Sequence, residues 1–183
     1  MRKVKSIAVI AVVLLCWVSS LHAAEPARLP LYEAKKGDVQ IALAHAQDFD
    51  EIKRKAEAGD ARAQYQLGWM YSIGHGVILS DIETVKWWRL AAEQGNAMAQ
   101  YGLGHMYFYG KGISQSTTEA LRWWRLAAEA GNAEAQYDLG YMYQNGNGVS
   151  KNDEEAVKWY RMAAKQKGWV GWHAREALIG MKK

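Results

Sequence analysis

Hydrophobic and polar positions follow the same order three times along the chain, at a spacing of 36 residues. In the first half of each block, small and apolar residues stand at i, i+4, i+7 and i+8, which is the spacing of one helix face. These residues are Ala63, Leu67, Met70 and Tyr71; Ala99, Leu103, Met106 and Tyr107; and Ala135, Leu139, Met142 and Tyr143. A second stripe follows in each block and consists of Val85, Trp88, Ala91 and Ala92; Leu121, Trp124, Ala127 and Ala128; and Val157, Tyr160, Ala163 and Ala164. Each block therefore predicts two helices, and the fixed period indicates stacked supersecondary units.

The residues between the stripes indicate where the helices begin and end. A glycine suited to the left-handed residue after a helix precedes a good N-cap at Gly59-Asp60, Gly95-Asn96 and Gly131-Asn132. The second helices open with the spacing of a capping box at Ser80 and Glu83, Ser116 and Glu119, and Asn152 and Glu155. Mid-helix glycines at Gly68, Gly104 and Gly140 suggest that helices approach closely there. We therefore expect an all-α fold, an α/α superhelical solenoid of three 36-residue helix-loop-helix repeats with helical caps.

This pattern divides the chain into seven expected parts. They are a secretory signal peptide over 1–24, a flexible lead over 25–37, a degenerate N-terminal capping unit over 38–59, repeats over 60–95, 96–131 and 132–168, and a C-terminal capping helix over 169–183. Within the N-terminal unit we expect helices near residues 39–46 and 49–58.

The beginning of the chain has the layout of a Sec signal peptide. Arg2, Lys3 and Lys5 precede an apolar stretch over residues 7–18, and Ala23 and Ala24 offer a cleavage point. The apolar stretch is shorter than the roughly 20 residues of a membrane span, although a retained N-terminal anchor stays an alternative. We therefore expect a periplasmic or secreted protein that does not insert in the membrane after cleavage.

Removal of this leader changes the charge and cysteine arguments. The whole chain carries 23 basic and 19 acidic residues, and the leader holds three of the basic ones, so the remainder has a net charge of about +1. No basic surface stripe remains that could bind nucleic acid, and we expect that the protein binds no nucleic acid. The only cysteine, Cys16, leaves with the leader unless it is lipidated, an alternative that the preceding Leu15 disfavours. The exported chain therefore has no disulfide.

The repeated motif resembles a known family. The pattern A-x-A-Q-Y-x-L-G-x-M-Y, then G-x-G-V/I, then W-W/Y-R-L/M-A-A-E-x-G is similar to Sel-1-like repeats, relatives of tetratricopeptide α-solenoids. The resemblance covers residues 60–167, with Thr84 in place of alanine and a third copy that ends one residue late as departures. It implies a scaffold or adaptor for protein complexes, often exported in bacteria, and does not name the partner.

The resemblance also implies where a partner binds, because the first helix of each tetratricopeptide-like unit lines the concave groove. Aligned on the Leu-Gly pair, the candidate groove residues are Arg62, Tyr65, Trp69, Ser72 and Ile73; Met98, Tyr101, His105, Phe108 and Tyr109; and Glu134, Tyr137, Tyr141, Gln144 and Asn145. Tyr65, Tyr101 and Tyr137 are the same in all copies, so packing and partner contact are both open for them. The other positions differ between copies, as a specific ligand requires, and rigid aromatic side chains are good anchors. The second repeat is the richest in them.

Several chemical signatures are missing from the sequence. The histidines His45, His75, His105 and His173 lack metal-ligand spacing, and no H-E-x-x-H or G-x-S-x-G motif occurs. The Gly-x-Gly loops lack the further residues of a phosphate cradle. We expect no metal, no cofactor and no catalysis, and instead a monomer that binds a protein or peptide. The open alternatives are a secreted effector that binds a host protein, a cell-wall-fragment binder or hydrolase, and a purely structural subunit.

Overall fold

A computed structural model describes residues 48–181, which form one compact unit. Within these residues all regular structure is helical. Helix α1 covers residues 48–57. The others are α2 (Ala61–Ile73), α3 (Asp81–Glu93), α4 (Ala97–Tyr109), α5 (Thr117–Glu129), α6 (Ala133–Asn145), α7 (Asp153–Ala163) and α8 (Trp169–Gly180). The expected signal peptide, the lead over 25–37 and the helix near 39–46 lie outside the described residues.

The structure confirms the predicted helix starts. The side chains of Asp60, Asn96 and Asn132 each accept a hydrogen bond from the backbone N–H three residues later, and those of Ser80, Ser116 and Asn152 do the same. These bonds satisfy backbone donors that have no partner inside the helix.

The reciprocal half of the predicted capping boxes is wrong. In a capping box the glutamate side chain would accept a bond from the N-cap backbone N–H. Instead, the N–H of Ser80 donates to the Tyr71 carbonyl at 3.0 Å, and the Glu83 carboxylate accepts bonds from Lys86 and Trp87. Ser116 and Asn152 repeat the backbone bond. The last turn of each first helix thus anchors the start of the second helix.

The core runs from repeat to repeat and does not close within any one of them. One cluster of buried residues joins α3 of the first repeat to α4 and α5 of the second through Ala92, Leu103 and Trp123. The next cluster joins α5 to α6 and α7, and the last joins α7 to α8. Helix α8 covers the end of the stack with Val170 and Ala174. Because each repeat buries its apolar face against its neighbours, the described region folds as a solenoid.

The mid-helix glycines allow close packing, although the group that they admit is a ring and not a second backbone. A Cβ at Gly68 would lie 2.7 Å from the indole nitrogen of Trp88, and a Cβ at Gly140 would lie 2.6 Å from Cδ1 of Tyr160. Trp124 lies against Gly104 in the same way. The second aromatic residue of each second helix therefore packs on the glycine of its own repeat.

Two series of polar contacts connect successive repeats. The buried amides of Gln64, Gln100 and Gln136 donate to carbonyls eight residues earlier, at the end of the preceding helix, over 2.9–3.2 Å. Arg89 and Arg125 donate to the hydroxyls of Tyr107 and Tyr143 in the following repeat. The glutamine series was not expected, because a glutamine in an amphipathic helix is usually assigned to the exposed face.

No helix among the described residues has the length and apolarity that crossing a membrane requires.

Candidate binding cleft

A cleft of about 240 Å³ lies where the first helices of the second and third repeats meet. We call it the junction cleft. Helix α4 contributes three of its rings, α5 contributes a tryptophan, and α6 with its following loop contributes the rest. Its lining residues are His105, Phe108, Tyr109, Trp124, Asp138, Tyr141, Met142 and Asn147.

Aromatic rings in mutual contact form one side of the junction cleft. The His105 imidazole lies 5.1 Å from the Trp124 ring and stacks on Tyr109 with 6.0 Å between centroids. Phe108 contacts both Tyr109 and Trp124, at 5.1 and 5.3 Å. The indole N–H of Trp124 donates to the Tyr101 carbonyl at 3.2 Å, which fixes the ring. Since the rings brace one another, the cleft is organised before any ligand enters.

A single carboxylate, that of Asp138, stands among these rings. Its Oδ2 accepts a hydrogen bond from the Tyr101 hydroxyl at 2.9 Å. Nε2 of His105 lies 3.8 Å from the same oxygen, which is too long for a hydrogen bond. The Asp138 side chain keeps 32% of its surface exposed, so a ligand can reach it from solvent.

Burial moves the pKa of Asp138, His105 and Tyr101 at the junction cleft. Desolvation raises the pKa of Asp138, against the opposing effect of the Tyr101 hydrogen bond, and the nearby Glu134 raises it further. Desolvation lowers the pKa of His105, which favours the neutral imidazole. Burial, the Asp138 charge and the hydrogen bond to Asp138 all raise the pKa of Tyr101, so this phenol stays a hydrogen-bond donor. Ionisation of Asp138 would therefore leave the cleft with a negative charge that the His105 imidazole does not balance.

The structure brings together four of the candidate groove residues, namely His105, Phe108, Tyr109 and Tyr141. Tyr109 and Tyr141 are the exposed members, with 61% and 49% of their surfaces accessible. His105 and Phe108 pack against the Trp124 ring, so they shape the cleft and also support the core.

The remaining candidates lie outside the junction cleft. Trp69 lines another concavity of about 390 Å³, together with α1 residues and His75. Met98 is exposed and its sulfur accepts a bond from Asn132, while Arg62 is exposed on the first turn of α2 and Glu134 is half-buried on that of α6.

The three tyrosines that occupy the same position in every repeat are half-buried against rings of their own repeats. Tyr65 stacks on Trp88 with 6.3 Å between centroids, and Tyr137 contacts Tyr160 at 5.4 Å. Tyr101 combines ring contact to His105 at 4.5 Å with its bond to Asp138. Packing is thus the contact that the structure shows for all three, and only Tyr101 also reaches a polar group of the junction cleft.

Sequence reasoning missed Asp138, Trp124, Met142 and Asn147. The pattern assigned Trp124 and Met142 to the core, where most of their surface does lie. A signal for Asp138 was available, because the equivalent positions in the first two repeats hold Gln66 and Gly102. A carboxylate that appears in only one copy, one residue after the repeated tyrosine, marks that copy as different.

The described residues include no group of three or more histidine, cysteine or acidic side chains that could hold a metal ion. The junction cleft itself presents aromatic rings, one carboxylate and polar edges.

Helix pairs that share one continuous core, with a cleft between successive first helices, define an α-solenoid of the tetratricopeptide type. The model of the Sel1 repeat matches residues 61–96, 97–132 and 133–167. The chain belongs to the Sel1 repeat family, whose solenoids commonly bind other proteins. The matched segments begin one residue after the repeats defined above, which start at the N-cap.

Solved structures agree with this assignment. The crystal structure of a Sel1 repeat protein from Oxalobacter formigenes is 39% identical, covers 73% of this chain and 98% of that chain, and has a TM-score of 0.66. The structure of c5321, a protective antigen present in uropathogenic Escherichia coli strains, is 38% identical with a TM-score of 0.64, covering 72% of this chain but only 31% of that chain. Helicobacter pylori cysteine rich protein B shares the fold at 21% identity, with a TM-score of 0.53 over 66% of this chain and 89% of that chain. No curated protein matches the chain.

Proposed function

We propose that this chain is an exported adaptor that binds a partner protein or peptide along its first helices, with the junction cleft as the centre of contact. The observation that carries the proposal is the pair of exposed tyrosine rings, Tyr109 and Tyr141, that flank a partly buried carboxylate at the border of two repeats. Large exposed aromatic groups around a preformed depression are typical of interface anchors.

Copy-to-copy variation supports the same location. The repeats agree closely in their core and cap residues, but their first-helix positions on the candidate groove differ. Trp69, His105 and Tyr141 occupy one such position. A purely structural array needs no such difference, whereas recognition of one partner does. At the edges of the contact, Arg62 and Glu134 are the side chains that select partners by charge.

The proposal of export rests on the leader-like beginning of the chain. An exported protein has two possible destinations, the periplasm and the medium. A secreted effector that binds a host protein is the second candidate, and the 38% identity to c5321, a protective antigen, favours it. Fractionation of the native cells distinguishes the two, since an envelope adaptor stays in the periplasm and an effector accumulates in the medium.

The test is crosslinking in native cells followed by identification of the captured proteins. The cleft variant is Tyr109→Ala/Tyr141→Ala, which truncates the two exposed rings and spares the braced His105 and Phe108. The matched control, Leu90→Ala/Leu126→Ala, truncates two exposed side chains on the second helices. Circular dichroism of both variants verifies that they are folded.

We expect the cleft variant to lose one captured protein by about tenfold or more, because an interface anchor contributes about 2 kcal/mol or more. The control should capture that protein as the wild type does. Equal capture by the cleft variant and the wild type would contradict the proposal and move the contact to another face.

A further inference from the structure

We propose that the junction cleft receives a cationic group, the ammonium of a lysine or the guanidinium of an arginine side chain of the partner. This inference rests on the proposed function and specifies the chemistry that the partner brings.

The rings of the junction cleft suit a cation. Five rings line the same small space, namely those of Trp124, Phe108, Tyr109, Tyr141 and His105. Aromatic faces attract cations electrostatically, and this attraction grows when water is excluded. Trp124 is only 2% exposed, so the ring faces that a ligand can reach are chiefly those of Tyr109 and Tyr141. A neutral apolar side chain would also contact these rings, so the rings alone do not choose between the two.

The environment of Asp138 favours a cation over a neutral apolar group. Among the described residues its only hydrogen-bond donor is the Tyr101 hydroxyl, and its only basic neighbour within ion-pair distance is His105. Burial disfavours the protonated form of that imidazole. No lysine or arginine of the described region forms an ion pair with Asp138, and Glu134 adds a second negative charge nearby. An incoming cation would supply the missing counter-charge, whereas an apolar group would bury the carboxylate further without one.

The size of the junction cleft indicates one side chain. Its volume of about 240 Å³ lies below the roughly 300–1,000 Å³ of typical small-molecule sites. The exposed rings of Tyr109 and Tyr141 stand where the rest of a partner would continue across the surface.

The concavity at the N-terminal end of the described region provides an internal comparison. It also holds acidic side chains, Asp48 and Glu51, next to Trp69. There, however, Glu51 already forms an ion pair with Lys55 at 2.7 Å. The acid of the junction cleft lacks such a partner, and its position is occupied by an uncharged residue in the other two repeats.

The experiment titrates the full chain with blocked five-residue peptides, in which glycines flank a central lysine, arginine or norleucine. Norleucine keeps most of the lysine chain and removes the charge. Two-dimensional NMR follows the indole N–H signal of Trp124, assigned by substitution. The variants are Asp138→Asn, which preserves shape, and the control Glu129→Gln, which removes one charge from α5 outside the cleft.

We expect the lysine and arginine peptides to shift the Trp124 signal in a saturable manner, with affinity about 10- to 100-fold above that of norleucine, since hydrogen bonds to charged groups contribute at this level. Asp138→Asn should reduce the preference to near unity, and Glu129→Gln should leave it intact. Equal affinity for norleucine and lysine in the wild type would overturn the inference, whether or not the variant folds.

The two proposals fail separately. If Tyr109→Ala/Tyr141→Ala abolishes partner capture but norleucine binds as well as lysine, the adaptor stands and the cationic ligand is wrong. If the lysine peptide binds with dependence on Asp138 while capture in cells is unaffected by the tyrosine variant, the chemistry of the cleft stands and the adaptor proposal is wrong.

Discussion

Replacement of Gly104 by alanine tests the packing that supports the junction cleft. The Cβ of alanine would enter the space of the Trp124 indole, whose Cδ1 and Nε1 atoms lie directly against this glycine. The ring would have to move, and its N–H bond to the Tyr101 carbonyl, 3.2 Å long, would be lost or lengthened.

Three contributions set the size of the effect. Alanine is favoured over glycine inside a helix by about 1 kcal/mol. Overpacking of a filled core costs about 1–3 kcal/mol, and an unsatisfied buried N–H costs about 1–3 kcal/mol. The net loss in the free energy of unfolding is therefore between about 1 and 5 kcal/mol, with a central value of about 3 kcal/mol.

Two further glycines serve as controls. In Gly140→Ala the ring is that of Tyr160, whose hydroxyl bonds to Gln144 away from the glycine. The overpacking cost and the helix-propensity gain therefore apply without a lost N–H bond, and the expected loss is about 0–2 kcal/mol. In Gly180→Ala no atom lies within 4 Å of the new Cβ, and stability should stay the same or rise by up to about 1 kcal/mol. Urea unfolding followed by circular dichroism and tryptophan fluorescence gives the three values. An alanine at Gly104 that leaves stability unchanged or higher would refute the close packing of the ring.

Three further predictions concern other contacts within and between the repeats. Gln136→Met removes the buried bond to the Ala128 carbonyl with little change in volume, and it should lower the free energy of unfolding by about 1–2 kcal/mol in urea titrations; no loss would show that the glutamine series does not tie repeats together. Asn132→Ala removes the 2.7 Å N-cap bond from the Ala135 N–H and should lower the free energy of unfolding by about 1–2 kcal/mol in the same assay. Asn132→Asp, which keeps a side-chain acceptor at this position, should restore the stability. Asp138→Asn should be as stable as the wild type or more stable at pH 7, and the difference should shift in favour of the wild type on acidification, as unfolding measured at several pH values will show.

The sign of the pH effect follows from the raised pKa of Asp138. Burial gives this carboxyl a higher pKa in the folded chain than in the unfolded one, so folding favours its protonated form. Its contribution to stability is full below the unfolded pKa and is lost as the pH rises through the folded pKa. His105 has a lowered pKa and the opposite dependence, but it is present in both proteins and its effect cancels in the difference to first order. A variant that is less stable at pH 7 and insensitive to pH would contradict this reasoning.

The fold could be predicted closely because local signals repeat. Each N-cap such as Asn96 and each closing glycine such as Gly95 depends on a few neighbouring residues, and three copies of the same spacing reinforce one another. The direction of Ser80's backbone N–H could not be predicted, because its acceptor, the Tyr71 carbonyl, becomes available only after the loop has folded back.

The junction cleft was only partly predictable for the same reason. His105, Phe108 and Tyr109 share one helix, and helical periodicity is enough to group them. Asp138 lies 33 residues after His105 in the sequence, and only the stacking of the third repeat on the second brings its carboxylate to the rings. Contacts between repeats depend on the stacking geometry, which a single sequence pattern does not specify.

Site-specific photo-crosslinking reports directly which face of the solenoid a partner touches in the native cell. Benzoylphenylalanine replaces Tyr141 at the rim of the junction cleft in one protein and Leu126 on α5 in another. We expect an adduct with a single protein from position 141, weakened by Asp138→Asn, and none of that adduct from position 126. An adduct with that protein from position 126 alone would contradict this expectation.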